Sequence, residues 1–200
     1  MMLLKSLLLL LQGRGSNACL EEERVALLQL KASFNCKYSS ESYGMNIWRK
    51  DVDCCTWDGV SCNATTGRVY QLSLDGSRDG ECADNWYFNA SMFLPFQELQ
   101  SLHFRDNFVV CCVKSIEELQ KLRNLENLDL SGNDLNNNVL PLLRGLHSLK
   151  TLDISSTQLK GSINIKDIKG QSNISVLRLN GGVYSGSSFQ VESLKAFSSL

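Results

Sequence analysis

Histidine and proline are both scarce, with two of each in 200 residues. His103 and His147 sit in no Ser/His/Asp or Cys/His arrangement, so the sequence offers no nucleophile–base pair. A phosphate-binding glycine loop, a GxGxxG turn and an HExxH helix are all missing. The charge is nearly balanced at −1, with 20 Lys and Arg against 21 Asp and Glu. No electrostatic case therefore exists for nucleic acid or an anionic membrane as partner. Beyond the leucine-rich start, no run approaches the roughly 20 apolar residues of a membrane helix. These absences describe a chain that is not an enzyme, needs no cofactor and holds no metal.

What the chain has is phased leucine. Leu125 to Leu135 reads Leu-Glu-Asn-Leu-Asp-Leu-Ser-Gly-Asn-Asp-Leu, the LxxLxLxxNxL signature of a leucine-rich repeat. Leu128 and Leu130 are two apart and share one side of an extended strand; Asn127, Asp129 and Ser131 take the other. Asn133 follows at the turn, where its amide can satisfy backbone groups that no sheet ladder reaches. Further copies start at Leu99, Leu149 and Ile174, and Val69-x-x-Leu72-x-Leu74-x-x-Ser77 is an earlier, degenerate one. The steps Leu102 to Leu128, Leu128 to Leu152 and Leu152 to Leu177 are 26, 24 and 25 residues; Leu72 to Leu102 is 30 and carries an insertion. One such unit cannot bury its leucines alone, so the expected body is a solenoid of about five stacked repeats, the last incomplete.

The start is different. Lys5, the run Leu7 to Leu11 and Ser16-Asn17-Ala18 read as a secretory signal peptide over 1–18, although the apolar run is short. Leu20 to Asn35 is expected to be a helix, with Glu21, Glu22 and Glu23 in the first turn where negative charge suits the dipole. Val25, Leu28 and Ala32, and also Leu27, Leu30 and Phe34, recur at helical spacing and are expected in the core. This helix should cover the solenoid's open end, where a first strand would expose apolar side chains and unpaired backbone. Lys37 to Met45 is a polar loop. Eight cysteines, mostly outside the repeats, point to disulfides in an oxidising compartment. Cys54 and Cys55 are adjacent, cannot readily bond each other, and should each reach elsewhere. A zinc site is the alternative, against which stand the wrong spacing and the lack of a nearby histidine.

Several motifs carry a resemblance. Cys19 is followed by Glu23-Arg24-x-Ala26-Leu27-Leu28-x-x-Lys31, then Trp48, then Cys54-Cys55-x-Trp57-x-Gly59-Val60-x-Cys62, then Thr66-Gly67-Arg68-Val69. This resembles the N-terminal cap of plant leucine-rich-repeat receptors. The runs Cys62-Asn63-Ala64-Thr65-Thr66-Gly67-Arg68-Val69 and Asn89-Ala90-Ser91-Met92-Phe93-Leu94-Pro95-Phe96 narrow it to the plant receptor-like proteins. The resemblance implies an α/β fold, a right-handed leucine-rich-repeat solenoid with a disulfide-bonded helical N-terminal cap, the cap over 19–68 and the repeats over 69–200. It implies the bridges Cys19–Cys54 and Cys55–Cys62. Cys82 is expected to pair with Cys112 or its neighbour Cys111, while Cys36 has no assigned partner.

Asn63, Asn89 and Asn173 open N-glycosylation sequons. Ser115 and Glu118 form a capping box before a short helix on the convex side, and Pro141 to Leu146 holds the same place in the next copy. Leu159-Lys160-Gly161-Ser162-Ile163 resembles the LxGxI turn of plant repeats, whereas Asn136-Asn137-Asn138 after Leu135 implies an irregular second strand. On the concave face the strand residues free of core duty are the candidate contacts: His103, Arg105, Asn127, Asp129, Asp153 and Arg178. Asp75, Asp129 and Asp153 recur once per coil and read as solvated strand positions rather than catalytic acids.

The resemblance implies extracellular ligand recognition in plant defence or development. The ligand would be a protein, peptide or glycan, and a receptor kinase co-receptor or adaptor would carry the signal. It also implies the secretory pathway, with the plasma membrane facing the apoplast if the gene encodes an anchor and secretion otherwise. Receptors of this family have more repeats, a C-terminal cap and one membrane helix. The chain ends as a repeat begins, which reads as a fragment, a truncated gene product or a short secreted relative. A secreted inhibitor of microbial wall-degrading enzymes and a soluble decoy binding module are the alternatives.

Overall fold

The computed structural model describes residues 18–34, 45, 47–77, 86–87, 89–110, 118, 120–140, 146–164, 173–179 and 189–192. The leucine phase builds the main sheet. Strands β1 (Val60–Cys62), β2 (Val69–Ser73), β4 (Ser101–His103), β6 (Asn127–Asp129), β7 (Thr151–Asp153) and β9 (Val176–Arg178) lie side by side in that order. From β2 onward every pairing is parallel and in step, so Leu72, Leu102, Leu128, Leu152 and Leu177 form one row. The first four are essentially inaccessible, as are Leu74, Phe104, Leu130 and Ile154 two residues on. Each fully buried side chain of this size contributes about 1.5–3 kcal/mol relative to exposure. The degenerate first copy is therefore a full member of the sheet.

After each strand the chain turns, and after β4 and β6 the turn is held by an amide. Asn107 and Asn133 are buried. Asn133 donates to the carbonyls of Phe104, Leu130 and Ser131 at 2.7, 3.0 and 3.2 Å and accepts from the N–H groups of Asn107 and Val109 at 3.0 and 3.1 Å. Asn107 donates to Leu74 and Arg105 in the same manner. One side chain thus ties its own coil to the preceding one. The residue before it takes a left-handed conformation in each coil: Gly76, Asp106, Gly132 and Ser156, with φ between 54° and 67°. Thr157 replaces the amide in the fourth coil and donates to its own Ile154 carbonyl, at 2.8 Å.

A second set of short parallel pairs runs beside the main sheet: β3 (Trp86–Tyr87) with β5 (Val109–Val110), and β8 (Gly161–Asn164) with β10 (Phe189–Glu192). β8 begins at Gly161 of the LxGxI segment, which the sequence reading took as a turn and which here forms a strand. After Leu135 the chain forms a 3-10 turn, Asn137–Val139, in place of a strand. β3 and β5 carry no repeat signature and were not expected.

The cap closes the start by two devices. Helix α1 (Glu21–Phe34) lays Ala26, Leu27, Leu30 and Phe34 on the core, and the Phe34 ring reaches Phe104 in the second repeat at 5.6 Å. β1 pairs antiparallel with β2 and covers the sheet's backbone edge. The sequence reading assigned both tasks to the helix. It also placed Val25 and Ala32 in the core, but both are exposed, and Leu28 is half-buried. The end of a solenoid is narrow and takes one stripe of a helix, centred on Leu27 and Leu30. Disulfides join Cys19 to Cys54 and Cys55 to Cys62, the pairing the resemblance implies. Trp48 stacks on Trp57 at 5.2 Å and donates its Nε1–H to the Asp58 carbonyl. Residues 1–17 of the expected signal peptide, Cys36, Cys82, Cys111, Cys112, most of the loop at 37–45, Ser115 of the capping box and residues 141–145 lie outside the described residues.

Candidate ligand-binding face

Alternation in the strands sends every second side chain away from the core, and the parallel register aligns these into rows. One row is Ser73, His103, Asp129, Asp153 and Arg178; a second is Gln71, Ser101, Asn127, Thr151 and Val176. Neighbours within a row are about 4.8 Å apart, the strand spacing. The fold thus brings four of the six candidates, His103, Asp129, Asp153 and Arg178, into one line, with Asn127 beside it. Arg105 lies two residues beyond, where β4 turns. Arg105 and Arg178 are exposed; the other four are half-buried.

Three features of this face go beyond strand alternation, and two of them, at Ser131 and Asp75, differ from the sequence reading. Ser131 is buried, and its backbone N–H and hydroxyl both donate to Asp129 Oδ1 at 2.9 and 2.6 Å. Asp153 and Ser155 repeat the arrangement, so these aspartates shape the turns as well as meeting solvent. Ser101 is also buried, its hydroxyl 3.0 Å from His103 Nε2. Asp75 is out of register with the other two aspartates, and accepts the Arg105 N–H at 2.8 Å. A count of carboxylates per coil could not separate strand from turn.

The Arg105 side chain donates to Asp106 at 2.8 Å, and that bond, then the charge behind it, raises the guanidinium further above its ordinary value. It stays cationic at any working pH. Arg178 lies 3.9 Å from Asp153 Oδ2 with most of its surface in water, a pair worth little to stability. Both cations are therefore available for contact at small structural cost. Asp106 and Phe108 follow Arg105, one on each side of the repeat asparagine Asn107; both are exposed and were not picked out, although that place marks them as outward-facing. A cleft of about 270 Å³ lies where this face meets the cap, lined by Met45, Trp48, Asp58, Gly59, Ser73 and Asp75 among others.

Among the described residues one group has metal-ligand proximity: Cys19, Asp53 and Cys55. Both sulfurs are in disulfides and offer no thiolate. Asp53 Oδ1 accepts the N–H groups of Cys19 and Cys55 at 2.9 and 3.1 Å. Its task is to start the 3-10 turn at Cys54–Thr56. Of the sequon asparagines, Asn89 and Asn173 are exposed and Asn63 is half-buried; Asn63 accepts from Thr65 and Thr66 and donates to Glu98.

A leucine-rich-repeat solenoid with a disulfide-bonded cap and an open inner sheet is a recognition module, not a catalytic domain. The leucine rich repeat N-terminal domain family matches residues 20–63. Receptor-like protein 9a of Arabidopsis thaliana is 37% identical over 181 residues, covering 88% of this chain and 18% of that protein. A plant ice-binding protein superposes with a TM-score of 0.65 at 26% identity, over 87% of this chain and 50% of that one. The Arabidopsis receptor kinase HAESA, in complex with the peptide hormone IDA and the co-receptor SERK1, shares the fold with a TM-score of 0.54 at 20% identity, over 81% of this chain and 34% of that one. The chain is thus a leucine-rich-repeat domain with a plant-type N-terminal cap, homologous to plant receptor-like proteins. That homology supports an extracellular, secretory-pathway location. The chain spans about a fifth of the length of the curated relatives it matches. Among the described residues no helix is long and apolar enough to cross a membrane.

Proposed function

We propose that this chain is part of the extracellular recognition region of a plant receptor-like protein, one that senses a defence or developmental ligand and signals through a partner receptor kinase. The row His103–Asp129–Asp153–Arg178, with Arg105 and Asn127 beside it, carries the reading. These side chains face outward, hold both charge signs, and are fixed on a rigid parallel sheet. The ligand is a protein, peptide or glycan that lies across the strands, and the response follows from ligand-dependent association with a receptor kinase. HAESA, with the same fold, is found with a peptide hormone and a co-receptor. The intact protein sits in the plasma membrane facing the apoplast where the gene encodes an anchor, and is secreted where it does not. Asn63, Asn89 and Asn173 carry glycans, and Cys82 is expected to pair with Cys112 or its neighbour Cys111.

The test is co-purification of the intact receptor, expressed in leaf tissue, with receptor kinases before and after treatment with microbial or plant extracts. The reading expects kinase recovery to rise on treatment and the rise to vanish in the double variant Arg105→Ala/Arg178→Ala, with its thermal midpoint unchanged. Treatment-independent recovery, or a double variant that responds like the wild type, overturns it.

A further inference from the structure

Where the cap meets the solenoid, three carboxylates, two from the cap helix and one from the turn before β4, surround one guanidinium. Arg68, just before β2, lies 3.3 Å from Glu22 and 3.6 Å from Glu23 of α1, and 4.0 Å from Glu98 in the turn before β4. Glu98 also accepts from Thr66 Oγ1 at 3.0 Å and from Asn63 Nδ2 at 3.3 Å. Glu23 is fully buried. Its Oε2 accepts the Val69 N–H at 2.9 Å, while its Oε1 is buried and makes no hydrogen bond among the described residues. The charged groups facing Glu23 are Glu22 on its own helix, Arg68 on the hairpin and Glu98 on the turn. With all of them ionised, three negative charges and one positive leave −2, centred on a carboxylate withdrawn from water. Burying a charge whose hydrogen bonds are incomplete is costly, and a single proton relieves it.

We propose that this cluster is a pH-sensitive clamp: proton uptake at the Glu22–Glu23–Arg68–Glu98 junction tightens the cap onto the first two repeats, and proton loss loosens it. A protonated Glu23 still accepts the Val69 N–H through Oε2, and it leaves Arg68 to Glu22 and Glu98. Burial is the largest influence on Glu23 and raises its pKa above the ordinary 4.5; the Val69 N–H and the Arg68 charge act the other way. A carboxyl whose folded pKa is raised contributes stability that is fully present below its unfolded value and is lost as pH rises through the folded one. The clamp therefore weakens from about pH 4.5 upward. Val69 opens β2, which carries Ser73 of the outward-facing row, so the loosening reaches the cap end of the concave sheet.

The test is hydrogen exchange of the Val69 amide in the disulfide-intact full chain between pH 5.0 and 7.5, corrected for intrinsic exchange. In the wild type, opening at Val69 becomes about threefold or more as frequent at the upper pH, while Leu128 in the third strand of the parallel series shows no such change. Glu23→Gln, neutral throughout, loses the pH dependence. Glu98→Gln removes one negative charge from the cluster and leaves a shallower rise; it decides the matter if Glu23→Gln does not fold. A flat wild-type profile, or variants with the wild-type slope, overturns the clamp.

Discussion

At the scale of single residues, the turns are the most demanding positions. Gly59 has φ of +77°, and a Cβ built on it would lie 2.2 Å from the backbone oxygen of Ser73. The Gly59 carbonyl also accepts the Ser73 N–H at 2.7 Å. Neither group can move without opening the hairpin, so Gly59→Ala should destabilise by at least about 2 kcal/mol, read as a shift in the urea midpoint. Asn133 serves five backbone groups from a buried site. Asn133→Ala leaves those groups without partners and should cost about 2–4 kcal/mol. Asn133→Asp cannot rescue it, because a carboxylate lacks the donors and brings a buried charge. An aspartate variant as stable as the wild type would refute this account of the amide.

At the scale of elements, the cap depends on cross-links as much as on its helix. The Cys19–Cys54 bridge closes a separation of 35 residues and Cys55–Cys62 one of 7. By chain entropy the first stabilises by about 4 kcal/mol and the second by about 2 kcal/mol. Paired Cys→Ser substitutions should reproduce that order in thermal unfolding; equal losses would show that local packing around the cysteines dominates. The helix itself binds by one stripe, and its surface ion pairs, such as Arg24 with Glu21, add little. Its exposed Val25 and Ala32 should tolerate polar substitution within about 0.5 kcal/mol, which the buried Leu27 and Leu30 will not.

At the scale of the whole molecule, the coils form one core. Phe34 of the cap touches Phe104 of the second repeat, which also meets Phe93 edge-on at 5.9 Å. Backbone bonds run from each coil to the next, as from Glu126 to Gln100 and from Lys150 to Glu126. Stability in such an array is shared between neighbours. Leu128→Ala, in the middle of the leucine row, should therefore cost about 2–5 kcal/mol. It should also lower the unfolding midpoint seen by the Trp48–Trp57 pair in the cap together with that seen by far-ultraviolet circular dichroism. Separate transitions would mean that cap and repeats unfold as independent units.

Much of this architecture could be read from the chain because it rests on local spacing. Leucines two apart define a strand face, and steps near 25 residues set the coils in register, so the row through Leu102, Leu128 and Leu152 was legible without coordinates. Asn133 was legible for the same reason: a turn leaves backbone groups unpaired, and an amide can meet them. The outward row was only partly legible, since Ser131 and Asp75 look like its other members until the turns are built. What the tertiary structure alone decided depends on contacts between distant residues. Which stripe of α1 is buried follows from the width of the solenoid's end. The pairing of β1 with the edge of β2 follows from an unpaired backbone that only the folded sheet presents. Glu23 reads as a dipole-friendly surface residue, yet it is buried because Val69 and Arg68, far along the chain, fold against it.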